Sequence, residues 1–243
     1  MCTVTFVPAK DGFFITSNRD EKSWRKQALP PAVYFHENAH VIYPKDAEAG
    51  GTWIAMKQNG DAAVLLNGAF EKHEAAPPYR KSRGVIFLEI VSDAQPVQKF
   101  KSLSLEGIEP FTLILFCNGN LQENRWNGTQ KFSRKLDNNS PHIWSSATLY
   151  DSAVVRKREQ WFAEWLNKNP HPSQENILEF HQFGGDGDAG NDLHMNRDGI
   201  MLTVSVTGIS LQQDKSMMRY LDMKDTTVHE EQLLLQKQLI TEE

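Results

Sequence analysis

The residue with the most chemistry to offer is the cysteine at position 2. Initiator methionine is ordinarily removed when a small side chain follows, so Cys2 is a candidate first residue. Removal leaves a thiol and a free α-amine on the same residue. Such an amine has a reference pKa of about 7.7–8.0, so a fraction of it is neutral at neutral pH and can serve as a base. A thiol with a reference pKa of about 8.5 needs only a modest push to become thiolate. One residue would then supply both nucleophile and base. Taken alone, a cysteine here is more often a small hydrophobe opening a strand.

Its neighbours in the expected fold change that weighting. Residues 2–7, C-T-V-T-F-V, alternate and are β-branched, the signature of a short strand. A-K-D-G at 9–12 signals a turn, and residues 13–17 form a second strand. A hairpin of this length brings the residues after its second strand, S-N-R-D-E at 17–21, back beside Cys2. Arg19 near the thiol would lower its pKa by favouring the anion. Asp20 would hold or orient the α-amine. Asn67 ends another apolar strand and precedes Gly68, a position from which its side-chain amide can donate to an oxyanion.

The elements that must position these residues follow from pattern. A second hairpin is predicted over 52–57 and 62–66, turned by Asn59-Gly60. Residues 27–51 look irregular and rich in Pro and His. Residues 83–92 fit a helix or a buried strand, with the helix preferred, and a short helix follows near 96–103. Residues 112–117 and 121–126 read as strands, and 142–145 as a short one. Residues 151–167 give the clearest helix, with Val154, Val155, Trp161, Phe162, Trp165 and Leu166 on one face. Another helix spans 173–183 with Ser173 as N-cap, then a Gly/Asp loop over 184–191. Strands are expected at 200–205 and 217–223, and a polar tail or short helix from about 226. Strands, then helices, then strands, without βαβ alternation, favour an antiparallel α+β architecture in a single domain over 1–243.

Composition narrows the function. The chain has 243 residues, 40% hydrophobic and 23% charged, as in an ordinary soluble globular protein. A net charge of -5 argues against nucleic acid or an anionic membrane as the main partner. No apolar run approaches the roughly 18 residues that span a bilayer. The first residues lack the basic and cleavage-site features of a signal peptide, so a cytoplasmic location is expected. Two cysteines, Cys2 and Cys117, are too few for a disulfide framework or a structural zinc site. The acidic loop at 186–192 puts Gly190 where a calcium loop wants a ligand. His36 and His40 sit in a Pro-flanked stretch unlike a helix, and His194-Met195 has no haem-attachment motif. Neither a metal nor an organic cofactor is expected. Nothing in the sequence sets an oligomeric state.

Five motifs occur in order: M-C-T at the start, S-N-R-D-E at 17–21, G-G-T-W-I-A at 50–55, L-L-N-G at 65–68 and S-R-G at 82–84. Together they resemble the NRDE family, also called the transport and Golgi organisation family. S-S-A-T-L-Y-D at 145–151 extends the resemblance. The N-terminal layout is also similar to the cysteine N-terminal nucleophile hydrolases of the choloylglycine hydrolase and penicillin V acylase group. That resemblance implies a four-layer αββα sandwich of antiparallel sheets and hydrolysis of non-peptide C–N amide bonds, with a small-molecule amide as substrate. It places the nucleophile at Cys2, the group's arginine and aspartate at Arg19 and Asp20, and an oxyanion-hole position at Asn67. A second asparagine of that group falls at Ser146. The group's late arginine has no counterpart; Thr203, Ser205 and Thr207 occupy that strand, with Arg197 nearby. The family name alternatively implies a non-enzymatic role in trafficking or secretory-pathway organisation, or the handling of a hydrophobic ligand such as lipid or haem.

Overall fold

The first two strands set the architecture. The structure, a computed structural model, describes residues 3–36, 39–213 and 215–235. Strands β1 (Thr3–Ala9) and β2 (Gly12–Lys22) pair antiparallel, Thr3 opposite Asn18 and Ala9 opposite Gly12. Side chains alternate strictly across them. Val4, Phe6, Phe13 and Ile15 enter the central core, whereas Val7 and Phe14 join a separate cluster on the other face. Seven strands make each of two antiparallel sheets.

The second sheet runs in chain order through β3 (Leu29–His36), β4 (Ala39–Lys45), β5 (Ile54–Lys57), β6 (Ala62–Asn67), β7 (Phe111–Cys117), β8 (Asn120–Trp126) and β9 (Lys131–Leu136). In β6, Ala62, Val64 and Leu66 face the first sheet, while Ala63 and Leu65 face helices α1 (Arg83–Val91) and α2 (Pro96–Ser102). The first sheet adds β10 (His142–Ser145), β11 (Asn196–Arg197), β12 (Met201–Gln212), β13 (Lys215–Asp222) and β14 (Val228–Leu234), in the order β10-β1-β2-β12-β13-β14 with β11 on β12. Its outer face is covered by α3 (Ser152–Lys168) and α4 (Gln174–Phe183), through Phe162, Ile177 and Phe180. The layers are therefore αββα, an α+β sandwich as expected.

Both long helices start on side-chain caps. Asp151 accepts from the Ala153 and Val154 N–H groups, and Ser173 forms a reciprocal capping box with Asn176. Residues 83–92 resolve as helix, capped by Ser82. Three expectations need correction. The irregular stretch at 27–51 contains strands β3 and β4. Val228–Leu234 form a strand, β14, where a polar tail or short helix was expected from about 226. β2 does not stop at Ser17 but continues to Lys22, so Arg19 and Asp20 are buried strand residues, each 4% exposed, and not a charged turn. No helix among the described residues is long and apolar enough to cross a membrane.

Candidate active site

Strand alternation separates the two central residues of the N-R-D-E motif. Arg19 points to the inner face, between the sheets, and its guanidinium lies 4.7 Å from the centre of the Trp53 ring. Asp20 points to the outer face, beneath the helices, where the Tyr150 hydroxyl donates to it at 2.8 Å. The pair expected beside Cys2 is thus divided between two sides of one sheet.

The inner side is an ion-pair site. Arg19 Nη2 donates to Asp46 Oδ2 at 2.7 Å, and Arg25 Nη2 donates to Oδ1 of the same carboxylate at 3.0 Å. Burial pushes the Asp46 carboxyl up, but the Ala49 N–H and the guanidinium groups of Arg19 and Arg25 outweigh that and hold it below the usual carboxylate range. Asp46 opens the loop leading to G-G-T-W. Gly51 lies so close to helix α1 that a Cβ on it would stand 2.3 Å from the Gly84 carbonyl carbon, and one on Gly84 would stand 2.9 Å from the Thr52 oxygen. The glycines of G-G-T-W and S-R-G thus bring α1 against the loop that anchors Arg19. Arg19, Trp53, Asn67, Ser82 and Arg83 line a cleft of about 530 Å³ here.

Asn67 and Ser146 do come together. Asn67 ends β6 of one sheet and Ser146 follows β10 of the other, and the Ser146 hydroxyl lies 2.9 Å from the Asn67 carbonyl oxygen, to which it donates. Gly68 makes this approach feasible. Its φ is +81°, and a Cβ there would meet the Thr148 and Ala147 side chains at 3.0 and 3.1 Å. Across this bridge a larger cleft of about 890 Å³ opens, with Leu66, Trp144, Ala147 and Leu149 among its walls and Arg156 and Arg197 among its cations.

On the outer side a second hydroxyl reaches Asp20. Thr203 donates to Asp20 Oδ1 at 2.5 Å and accepts from the Met195 N–H at 2.8 Å. A register shift makes this possible: Thr203 pairs with Asp20 and Ser205 pairs with Arg19, so Val204 is an extra residue in β12. Without that bulge Thr203 and Ser205 would face the same way. Further in, His181 is completely buried between Thr5 and Asn18. Burial first, then the nearby Arg158 charge, pushes its pKa down to about 3, so it is neutral. Arg197 does not stand in for the late arginine: it donates to the carbonyls of Gly190 and Leu149.

Cys2 lies outside the described residues. Its successor Thr3 pairs with Asn18 on one side and Ser145 on the other. Asp46, Tyr150 and Arg158 were not singled out from sequence. Tyr150 had a signal, since it falls inside S-S-A-T-L-Y-D. Among the described residues, no group of three or more His, Cys, Asp or Glu is placed to hold a metal ion.

The family described as Transport and Golgi organisation 2 matches residues 1–185. The chain belongs to this family. Among solved structures it is similar to the Caenorhabditis elegans N-acylethanolamine-hydrolyzing acid amidase ortholog, with a TM-score of 0.60 and 12% identity over 86% of this chain and 92% of that one. It is also similar to the C2A mutant of conjugated bile acid hydrolase from Clostridium perfringens, with a TM-score of 0.57 and 10% identity over 99% and 100% of the two chains. A second variant of that hydrolase gives a TM-score of 0.58 at 11% identity, over 98% and 100%. Identity this low establishes a shared N-terminal nucleophile hydrolase-like sandwich and nothing finer. No curated protein sequence matches the chain.

Proposed function

We propose that this member of the family is a cysteine N-terminal nucleophile amidohydrolase acting on a linear, non-peptide C–N amide bond. One observation carries the proposal: β2 with Arg19 and Asp20, the end of β6 at Asn67, and Ser146 just past β10 are brought together around the start of β1. Arg19 and Ser146 each sit one residue beyond the partners of Thr3, on the side toward Cys2. Asn67 is tied to Ser146.

The chemistry follows from those groups. With Met1 removed, the α-amine of Cys2 takes the thiol proton, and the thiolate attacks the amide carbonyl. The amine then gives the proton to the departing nitrogen as the C–N bond breaks, leaving a thioester. Water, deprotonated by the same amine, displaces the thiol and releases the acid. Asp20 orients the amine and the Arg19 charge favours the thiolate. The oxyanion falls to the Asn67 side-chain amide with a backbone N–H. Ser146, carried over as a possible donor, takes a different part here. Its one hydroxyl proton points at the Asn67 carbonyl, so it fixes Asn67 rather than the oxyanion. The larger cleft offers Leu66, Trp144, Ala147 and Leu149 to an acyl chain and Arg156 and Arg197 to an anionic group, and a reducing cytoplasmic setting would keep the thiol free.

The test is release of fatty acid from N-lauroylethanolamine and N-lauroylglycine, followed by chromatography, with intact mass read on the same sample. Turnover by protein lacking Met1, abolished in Cys2→Ala, is expected. No release above that variant, or full retention of Met1 in active protein, sinks the mechanism. A second reading, ligand binding without turnover, is favoured by the commitment of the Ser146 proton to a structural bond. It predicts saturable binding of the same amides, unchanged in Cys2→Ala.

A further inference from the structure

Arg158 is completely buried, in the middle of α3, on the face otherwise given to Phe162. A guanidinium without water is costly unless a carboxylate neutralises it. Among the described residues Arg158 forms no salt bridge; the ion pairs of the fold involve other arginines. Its Nε and Nη2 donate to the backbone carbonyls of Asn191 and Asp192, at 3.2 to Asn191 from Nε and at 2.7 Å to Asp192 from Nη2. Nη1 donates to the hydroxyl of Thr3, the residue that follows Cys2 in the chain. The guanidinium carbon lies 3.6 Å from the centre of the Tyr150 ring, and Tyr150 donates to Asp20. A helix that only needed to pack would place a leucine here.

From this geometry we infer that Arg158 is a positioning residue for the Cys2 nucleophile, acting through Thr3 on the strand and through Tyr150 on Asp20. It holds Thr3, at the start of β1, against α3, and it presents a fixed positive charge there. A positive charge there favours both the thiolate and the neutral amine. The inference rests on the nucleophile reading above for its purpose, but its test reads the thiol directly. Other charged or titratable groups facing this corner are Arg19 and Asp20 from β2, Tyr150 from the segment before α3, neutral His181 from α4, and Arg197 from β11, 5.3 Å from the Tyr150 ring. Arg19 is tied to Asp46, and His181 to Thr5 and Asn18.

The experiment is the pH dependence of carboxamidomethylation of Cys2 by iodoacetamide in the folded full chain, mapped by peptide mass. Cys117 is the internal control. Burial, then the nearby Asp61 charge, pushes its thiol up to about 12, so it stays unmodified while the fold is intact. Arg158→Met should move the midpoint of Cys2 labelling up by about one pH unit, a roughly 10-fold slower reaction at neutral pH. Arg158→Lys, which keeps the charge but not the planar fork, should recover most of that shift. If Arg158→Met exposes Cys117 by unfolding, Thr3→Val decides. It removes the acceptor without changing shape and should shift the midpoint in the same direction, while Thr3→Ser restores it. A folded Arg158→Met or Thr3→Val protein with the wild-type midpoint overturns the inference. Absence of amide hydrolysis with the labelling shift intact overturns only the proposed reaction.

Discussion

The inner and outer faces of β2 solve the same problem differently. Arg19 and Asp20 are neighbours in sequence, equally buried, and oppositely charged. On the inner face the charge of Arg19 is neutralised by a carboxylate shared with Arg25, at the rim of a cleft. On the outer face Asp20 accepts from the hydroxyls of Tyr150 and Thr203, and the Arg158 guanidinium stacks on the Tyr150 ring. The two neighbours are thus anchored by different chemistry, a guanidinium–carboxylate pair on one side and hydroxyl donors on the other. Under the proposed mechanism this contrast would give Arg19 the tuning of charge and Asp20 the contact with the amine.

Substitutions can break that assignment. The largest effect is expected from Asp20→Asn, which keeps shape but loses the charge. Turnover of the acyl amides should fall roughly 100-fold or more, with folding largely retained. Asp46→Asn should act on stability instead, costing about 2 kcal/mol at neutral pH by urea denaturation, a buried-pair loss discounted for partial exposure. The sign of its pH dependence is fixed. A depressed carboxyl stabilises above its unfolded pKa of about 3.9, and that contribution disappears as the pH falls through the lower folded value. Asp46→Asn should therefore narrow its deficit in acid. Should Asp46→Asn cost more turnover than Asp20→Asn, the roles of the two faces are reversed. Thr203→Val removes one of the two hydroxyls on Asp20 and should cost about 1 kcal/mol, seen equally in stability and in the labelling rate of Cys2. The smallest effect sharpens the outer face alone. Because His181 stays neutral down to about 3 in the fold but would gain a proton near 6.5 when unfolded, the fold loses stability as pH drops between those values. From pH 7 to pH 6 that loss is under about 1 kcal/mol by denaturant titration, and His181→Gln should remove it.

The hairpins β1-β2 and β5-β6 and helices α1, α3 and α4 were legible in sequence because their signals are local: alternation, an Asn-Gly turn and capping side chains. The strands that escaped have a common reason. β3, β9 and β14 are sheet edges. β3 contains Pro30 and Pro31, β9 reads K-F-S-R-K-L, and β14 begins V-H-E-E. Prolines and charges of this kind guard an edge against pairing with another chain, and they erase the apolar pattern that marks an interior strand. β4 was lost with its partner. At the site, motif spacing singled out Arg19, Asp20, Asn67 and Ser146, of which the last two meet. The division of Arg19 from Asp20 was missed because β2 was ended too early. Thr203 was noticed as a substitute for a missing arginine, but its bond to Asp20 depends on the bulge at Val204, which leaves no mark in the sequence. Arg158 looked like one more solvated charge on an amphipathic helix; burial comes from the sheet beneath it, not from helical periodicity.

The bond from Ser146 to the Asn67 carbonyl has a mechanical consequence. It ties the last residue of β6 in one sheet to the residue that follows β10 in the other, so a polar contact joins the two layers beside their apolar core. A longer amide side chain in place of Ser146 would have to push the two layers apart or turn away from Asn67.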